Sequence, residues 1–215
     1  FESLESRLPL AGNVTAELSG GQLTILGDSA DNDIVVVQSG GTVTITGNAG
    51  TTINGAPAAA FTTSGLEKAE FKMESGDDHL FLINVDPSGD VVVEMGDGND
   101  IAEASNVDAG ANFTIKSGKG DDLVGVANSS AGSDMNVEFE GKATLFLTRL
   151  NVTKNLSVDT KDGDDQISID GAITVGEDLT VSTGKGNDVV TVADLVTAAP
   201  VSVGKSLRID TDRGN

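Results

Sequence analysis

The chain has no cysteine, no tryptophan and no tyrosine. Without cysteine there is no disulfide, no thiolate nucleophile and no cysteine-ligated metal. Without Trp or Tyr, a sugar-cleaving groove would lack its usual stacking platforms, which argues against a polysaccharide lyase or hydrolase. Basic residues are few, 13 against 34 acidic, for a formal net charge of −21. Such a surface cannot replace the counterions of a nucleic acid, and anionic membranes repel it. No apolar run of about 18 residues is present, so no stretch reads as a membrane-spanning helix. His79 is the single histidine. It is expected to face outward beside an inward Leu80, and no Ser-His-Asp arrangement can be built on it. Proline is scarce, at 4 residues, and glycine abundant, at 27. Short strands joined by many tight turns use glycine in this way.

What the chain does have is a repeat. An acidic turn ends at a fixed point, and apolar residues follow two and four positions later. The fixed points are Asp33, Asp78, Asp100, Asp122, Ala143, Asp165 and Asp188. The pairs are Val35/Val37, Leu80/Leu82, Ala102/Ala104, Val124/Val126, Leu145/Leu147, Ile167/Ile169 and Val190/Val192. The spacings are 45, 22, 22, 21, 22 and 23 residues. One strand signal per 22 residues is the mark of a stacked solenoid. Between Asp165 and Asp188 three pairs fit one triangular coil: Ile167/Ile169, Ile173/Val175 and Leu179/Val181. The expected fold is all-β, a right-handed parallel β-helix of about 22 residues per coil, with right-handedness from the crossover preference. A two-sheet sandwich would also give short, regular strands, but not a turn that recurs on this clock.

Three segments follow. Residues 1–12 form an N-terminal cap or export segment, 13–65 irregular first coils, and 66–215 regular coils of one continuous domain. The 45-residue gap after Asp33 fits two coils, the second without its acidic turn. Ala56 to Thr63 reads as loop. About nine coils fit the whole length. The last residues, Asp212 to Asn215, enter another acidic turn, which leads us to expect that a further element completes the last coil.

The opening FESLESRLPLAG resembles a short N-terminal motif of many planctomycete secreted proteins, F-E-x-L-E-x-R-x-L-L-A. It departs from that motif at Pro9, where the motif usually has Leu. The resemblance implies export to the cell surface or beyond. The same residues also suit an amphipathic cap over the first coil.

The turns Gly96-Asp97-Gly98-Asn99-Asp100, Gly118-Lys119-Gly120-Asp121-Asp122, Asp162-Gly163-Asp164-Asp165 and Gly184-Lys185-Gly186-Asn187-Asp188 resemble the calcium-binding nonapeptide of RTX proteins, G-G-x-G-x-D-x-U-x. In that family the Asp carboxylate and glycine carbonyls hold calcium between successive repeats. Here the turns recur every 22 residues rather than every nine, so that geometry does not carry over directly.

The case for calcium also has a physical side. Stacking would set Asp100 over Asp122 and Asp165 below Asp188, and like charges that close repel unless protonated or bridged. Calcium takes six to eight oxygens, and such a ladder offers carboxylates and carbonyls. The candidate ligands are Asp78, Asp100, Asp122, Asp165 and Asp188, with Asn99, Asp121, Asp164 and Asn187 beside them. Asp77, Asp97, Asp121 and Asp164 precede the fixed points and should face water, which makes them weaker ligands. At Gly141-Lys142-Ala143 the ladder breaks, and Lys142 supplies a positive charge. The alternative is that these acids build Asx-turns and nothing more.

The function expected from these residues is structural and extracellular, a surface fibre or layer subunit that self-associates head to tail and carries calcium. A calcium-dependent adhesin or spacer that contacts a surface glycan is the alternative. An enzymatic β-helix is the third reading.

Overall fold

In the computed structural model, residues 12–193 and 200–211 are described. They contain 22 strands and no helix. The parallel coils of about 22 residues stack into a β-solenoid of about six turns. The strands lie in a 10-stranded and a 12-stranded sheet, with a short third side formed by pieces such as Asp108–Ala109, Ile173–Val175 and Val201–Val203.

Register follows the repeat. Ile101 pairs with Leu123, and Leu123 with Thr144. Phe113 pairs with Val91 on one side and Met135 on the other. Alternation sends every second side chain inward, so that Leu80, Leu82, Val124, Val126, Leu145 and Leu147 share one buried core. A core of stacked like residues suits a parallel sheet, because each buried side chain meets its equivalent one coil away. Strands Asp121–Ala131 and Lys142–Val152 bend around a corner and serve two sides.

The first coil differs from the expected register by one residue. Asp33 pairs with His79, so Asn32, not Asp33, stands at the fixed point. Ile34 and Val36 are buried, and Val35 and Val37 face outward. The run Ile34-Val-Val-Val37 is apolar on both faces and cannot define its own register. A one-residue slip exchanges the faces.

Antiparallel hairpins stand before and within the long gap, which does not hold two regular coils. Asn13–Ser19 pairs antiparallel with Gln22–Leu26, and Asp33–Ser39 with Thr42–Gly47. The stretch read as loop contains the strand Ala58–Thr62, antiparallel to Thr42–Gly47. Together these hairpins close the N-terminal pole. They consume the length that had suggested nine coils, which leaves about six. The expected cap at 1–12 and the turn at 212–215 lie, but for residue 12, outside the described residues.

Candidate functional site

The acidic turns stack into two adjacent rows that run along the solenoid. The inner row is Asn32, Asp78, Asp100, Asp122, Ala143, Asp165 and Asp188. Asp78 and Asp100 are each 1% exposed, and Asp122 and Asp165 are as deeply buried. Their side chains reach back one coil. The Asp78 N–H donates to Asp100 Oδ1 (2.8 Å), and the Asp100 N–H to Asp122 Oδ1 (2.9 Å). The Asn32 N–H donates to Asp78 Oδ1 (2.7 Å), and the Ala143 N–H to Asp165 Oδ1 (2.8 Å). The Asp165 N–H completes the series on Asp188 Oδ1 (3.1 Å).

The outer row stands one residue earlier and reaches forward. The Asp77 N–H donates to Asp31 Oδ1 (2.9 Å), the Asn99 N–H to Asp77 Oδ1 (2.8 Å) and the Asp121 N–H to Asn99 Oδ1 (3.0 Å). The Asn187 N–H donates to Asp164 Oδ1 (2.8 Å). Asp77, Asp97, Asp121 and Asp164 are exposed, as expected, and so are Asn99 and Asn187. Asp and Asn alternate in this row, so no two carboxylates sit in adjacent coils from Asp77 to Asp121. Where the row breaks, Lys142 Nζ stands 3.7 Å from Asp121 Oδ2.

The inner row does not alternate. Asp78, Asp100 and Asp122 are three consecutive carboxylates, and the Oδ2 atom of each is buried with no hydrogen-bond partner. Burial pushes the Asp78 carboxyl up to about 6, against the N–H donors of Asn32 and with Asp31 and Asp28 nearby. Burial, together with Asp78, Asp122 and Asp77, pushes Asp100 up to about 7. Burial also raises Asp122 and Asp165.

Another buried column decides how each carboxylate is served. It runs Met73, Met95, Ser117, Phe139, Thr160 and Thr183, in register through the pairings of the flanking strands. Thr160 Oγ1 donates to Asp165 Oδ2, and Thr183 Oγ1 to Asp188 Oδ2 (2.6 Å). Methionine occupies that place beside Asp78 and Asp100 and offers no donor. Ser117 is close enough to hold the Asp122 shift down, yet its Oγ has no partner of full hydrogen-bond geometry. Where the column carries Phe139, the inner row carries Ala143, so the bulky ring and the missing carboxylate coincide. Replacing Thr160 by Val should cost roughly 1–3 kcal/mol at neutral pH, because a buried carboxylate oxygen loses its donor. Thermal melts at pH 8 and pH 5 check this. The deficit should shrink at the lower pH, because burial raises the Asp165 carboxyl and favours its neutral form as the pH falls, and a deficit independent of pH would refute the assignment.

Two further columns had a sequence signal that the repeat reading missed. Asp90, Asn112, Asp134, Asn155, Asp178 and Ser206 each precede a strand of the 10-stranded sheet. The Asn112 N–H donates to Asp90 Oδ1 (3.0 Å), the Asn155 N–H to Asp134 Oδ1 (3.1 Å) and the Asp178 N–H to Asn155 Oδ1 (3.2 Å). Asp and Asn alternate again. At another corner Asn84, Asn106, Asn128 and Arg149 all have left-handed backbone, with φ of 55, 55, 53 and 52°, a region that Asn tolerates better than most residues. Both columns recur at 21 to 23 residues for the most part, as do the acidic turns, and could have been found on the same clock.

Calcium needs six to eight oxygens around one point. Each inner carboxylate commits Oδ1 to a backbone N–H, and Thr160 and Thr183 take one Oδ2 each. Among the described residues no three His, Asp or Glu side chains gather as a metal centre would require. The inner row therefore fits a hydrogen-bond ladder better than a run of calcium sites. The outer-row side chains are exposed, with Asp121 Oδ2 beside Lys142 Nζ. His79 faces outward, with Nδ1 3.8 Å from Asp33 and Nε2 3.8 Å from Glu103. No known protein family, curated protein or solved structure matches the chain.

Proposed function

We propose that this protein is an extracellular structural element whose copies stack head to tail into a fibre or layer. The observation that carries this reading is the difference between its poles. At one pole, antiparallel hairpins finish both sheets, and the outermost strands are the short Thr52–Ile53 and Ala58–Thr62. At the other, Val189–Ala193 and Leu207–Asp210 are each paired on one side only among the described residues. Leu207 and Ile209 are 50% and 43% exposed there. An open parallel edge with uncovered apolar side chains accepts another strand, and contact between unlike poles propagates as an open filament. Further coils of a longer chain would satisfy the same edge and make this segment a spacer.

Divalent cations belong to this reading as counter-ions of the outer row, where Asp77, Asp121 and Asp164 point toward water. A surface location is supported by the N-terminal resemblance, and the lack of cysteine is compatible with it. Negative-stain electron microscopy of the purified chain, with calcium and with chelator, tests the proposal. Filaments are expected, and a Leu207→Lys/Ile209→Lys variant should remain as short rods while melting at nearly the same temperature. Short rods for the parent chain at high concentration, with or without calcium, would remove the fibre. Calcium should raise the melting temperature by a few degrees through the outer row, and an unchanged melt would remove the cation.

A further inference from the structure

The outer face of the 12-stranded sheet carries a groove whose floor is Gly125. It is lined by Phe81, Glu103, Ser105, Gly125, Phe146 and Thr148, among others, and encloses about 190 Å³. Phe81, Glu103, Gly125 and Phe146 form one outward column, in register from coil to coil.

Gly125 is the anomaly. Four glycines lie inside described strands: Gly47, Gly96, Gly118 and Gly125. Gly96 and Gly118 have φ of 109 and 95°, and a Cβ on Gly47 would fall 2.0 Å from the Thr51 carbonyl oxygen. Gly125 has neither reason. Its φ is not positive, and a Cβ there would meet only Glu103 Cγ, at an ordinary 3.9 Å. Glycine in a strand interior weakens the strand and often marks a place where something approaches closely. What Gly125 does here is open a slot one coil deep between the Glu103 carboxylate and the Phe146 ring. Phe146 is 45% exposed, in a chain with few aromatics.

We infer that this slot binds the guanidinium of an arginine side chain presented by a basic partner polypeptide. Glu103 is the one charged side chain in the lining, and it is negative. The chain as a whole, at −21, attracts cations and repels acidic ligands. Glu103 and Phe146 stand two coil rises apart, about 10 Å between backbones, with nothing above the floor between them. A flat cation fills that space, stacking on the ring and pairing its N–H fork with the carboxylate. Arginine does both, whereas an ammonium does only the second well. His79, 3.8 Å from Glu103 Oε2, flanks the carboxylate on the neighbouring column. Ser105 and Thr148 put hydroxyls at the rim.

The test is an NMR titration of the intact chain with a short neutral peptide carrying one arginine. It is run at about 0.15 M salt, which screens diffuse attraction. Citrulline and lysine versions of the peptide are compared. The expected result is arginine binding with shifts centred on Gly125, Glu103 and Phe146. Binding should weaken roughly fivefold or more with the citrulline peptide and in Phe146→Ala, Glu103→Gln and Gly125→Val. All three changed residues are on the surface, and unchanged amide spectra elsewhere establish that each variant is folded. Equal binding of lysine and arginine that is indifferent to Gly125→Val would mean diffuse electrostatics and overturn the proposal. So would an absence of binding at 10 mM peptide, or a neutral oligosaccharide that shifts the same residues when arginine does not.

Discussion

Lowering the pH from 8 to 5 should raise the melting temperature of this protein. Asp78 and Asp100 are pushed to about 6 and about 7 by burial, against an unfolded value near 3.8. A carboxyl whose pKa rises on folding binds more protons in the folded state. Its contribution is therefore complete below the unfolded pKa and disappears as the pH climbs through the folded one. Between pH 8 and pH 5 the two groups together should return on the order of 4 kcal/mol, or about 10 °C for a chain of this length. Asp122 and Asp165, raised in the same direction, add to the trend. Glu70, Asp162 and Asp178 are lowered by lysine or serine partners and oppose it only toward more acid pH.

The double variant Asp78→Asn/Asp100→Asn isolates the cause. Asparagine keeps the Oδ1 acceptor for the neighbouring N–H and removes the buried charge. It should melt higher than the parent at pH 8 and lose at least half of the pH dependence. Scanning calorimetry across this range, kept above the pI of about 4.1, makes the comparison. A melting temperature that falls steadily from pH 8 to pH 5 would show that the carboxylates are solvated and the ladder misassigned.

Gly120→Ala should prevent the solenoid from closing properly, while Gly125→Ala, five residues on, should be tolerated. At Gly120 the backbone has φ of 138°, and a Cβ would lie 1.7 Å from the Gly98 carbonyl oxygen of the coil before. Backbone cannot swing aside as a long side chain could, so the turn and the coil spacing must both deform. A loss of more than about 3 kcal/mol follows. At Gly125 the added methyl meets one flexible side chain. The loss of unfolded-state freedom and the better strand propensity should leave stability unchanged or up to about 1 kcal/mol higher. Denaturant melts of both variants decide the matter. Equal losses would mean that the outer face is as tightly packed as the turn.

Three Asp residues in adjacent coils of one buried row go against the alternation that the neighbouring columns show from Asp77 and from Asp90 onward. Asp77, Asn99 and Asp121 alternate, and so do Asp90, Asn112, Asp134, Asn155 and Asp178. In each, an amide separates two carboxylates, and Asn Nδ2 donates to the Asp beside it, as Asn99 does to Asp77 (3.1 Å) and Asn155 to Asp134 (2.8 Å). Alternation gives every coil boundary a donor and removes like-charge neighbours. In the inner row the Asn32 amide relieves Asp78 alone (3.1 Å), and Asp100, faced by Met95 and flanked by two acids, has neither relief. Protonation is the relief open to it.

The strand pairs from Leu80/Leu82 onward, the coil length and the parallel stacking were all determined by the sequence alone. A strand's inward face is written at every second residue, and a turn that must stack on its copy repeats its chemistry. Asp100 illustrates the limit. A Gly-Asn-Asp turn has the same local signature whether its last carboxylate faces water or the core. Only the stack decides, by bringing the Asp78 N–H to 2.8 Å from Asp100 Oδ1 and a methionine column to the other side. Residues 32 to 37 illustrate another. Four consecutive apolar residues let either alternation pass, and pairing with His79–Ile83 chose the one that buries Ile34 and Val36. The hairpins that replace two expected coils were likewise hidden, since antiparallel and parallel strands share their alternation. Direction of pairing is a property of what lies alongside, and that is fixed only when the coils close.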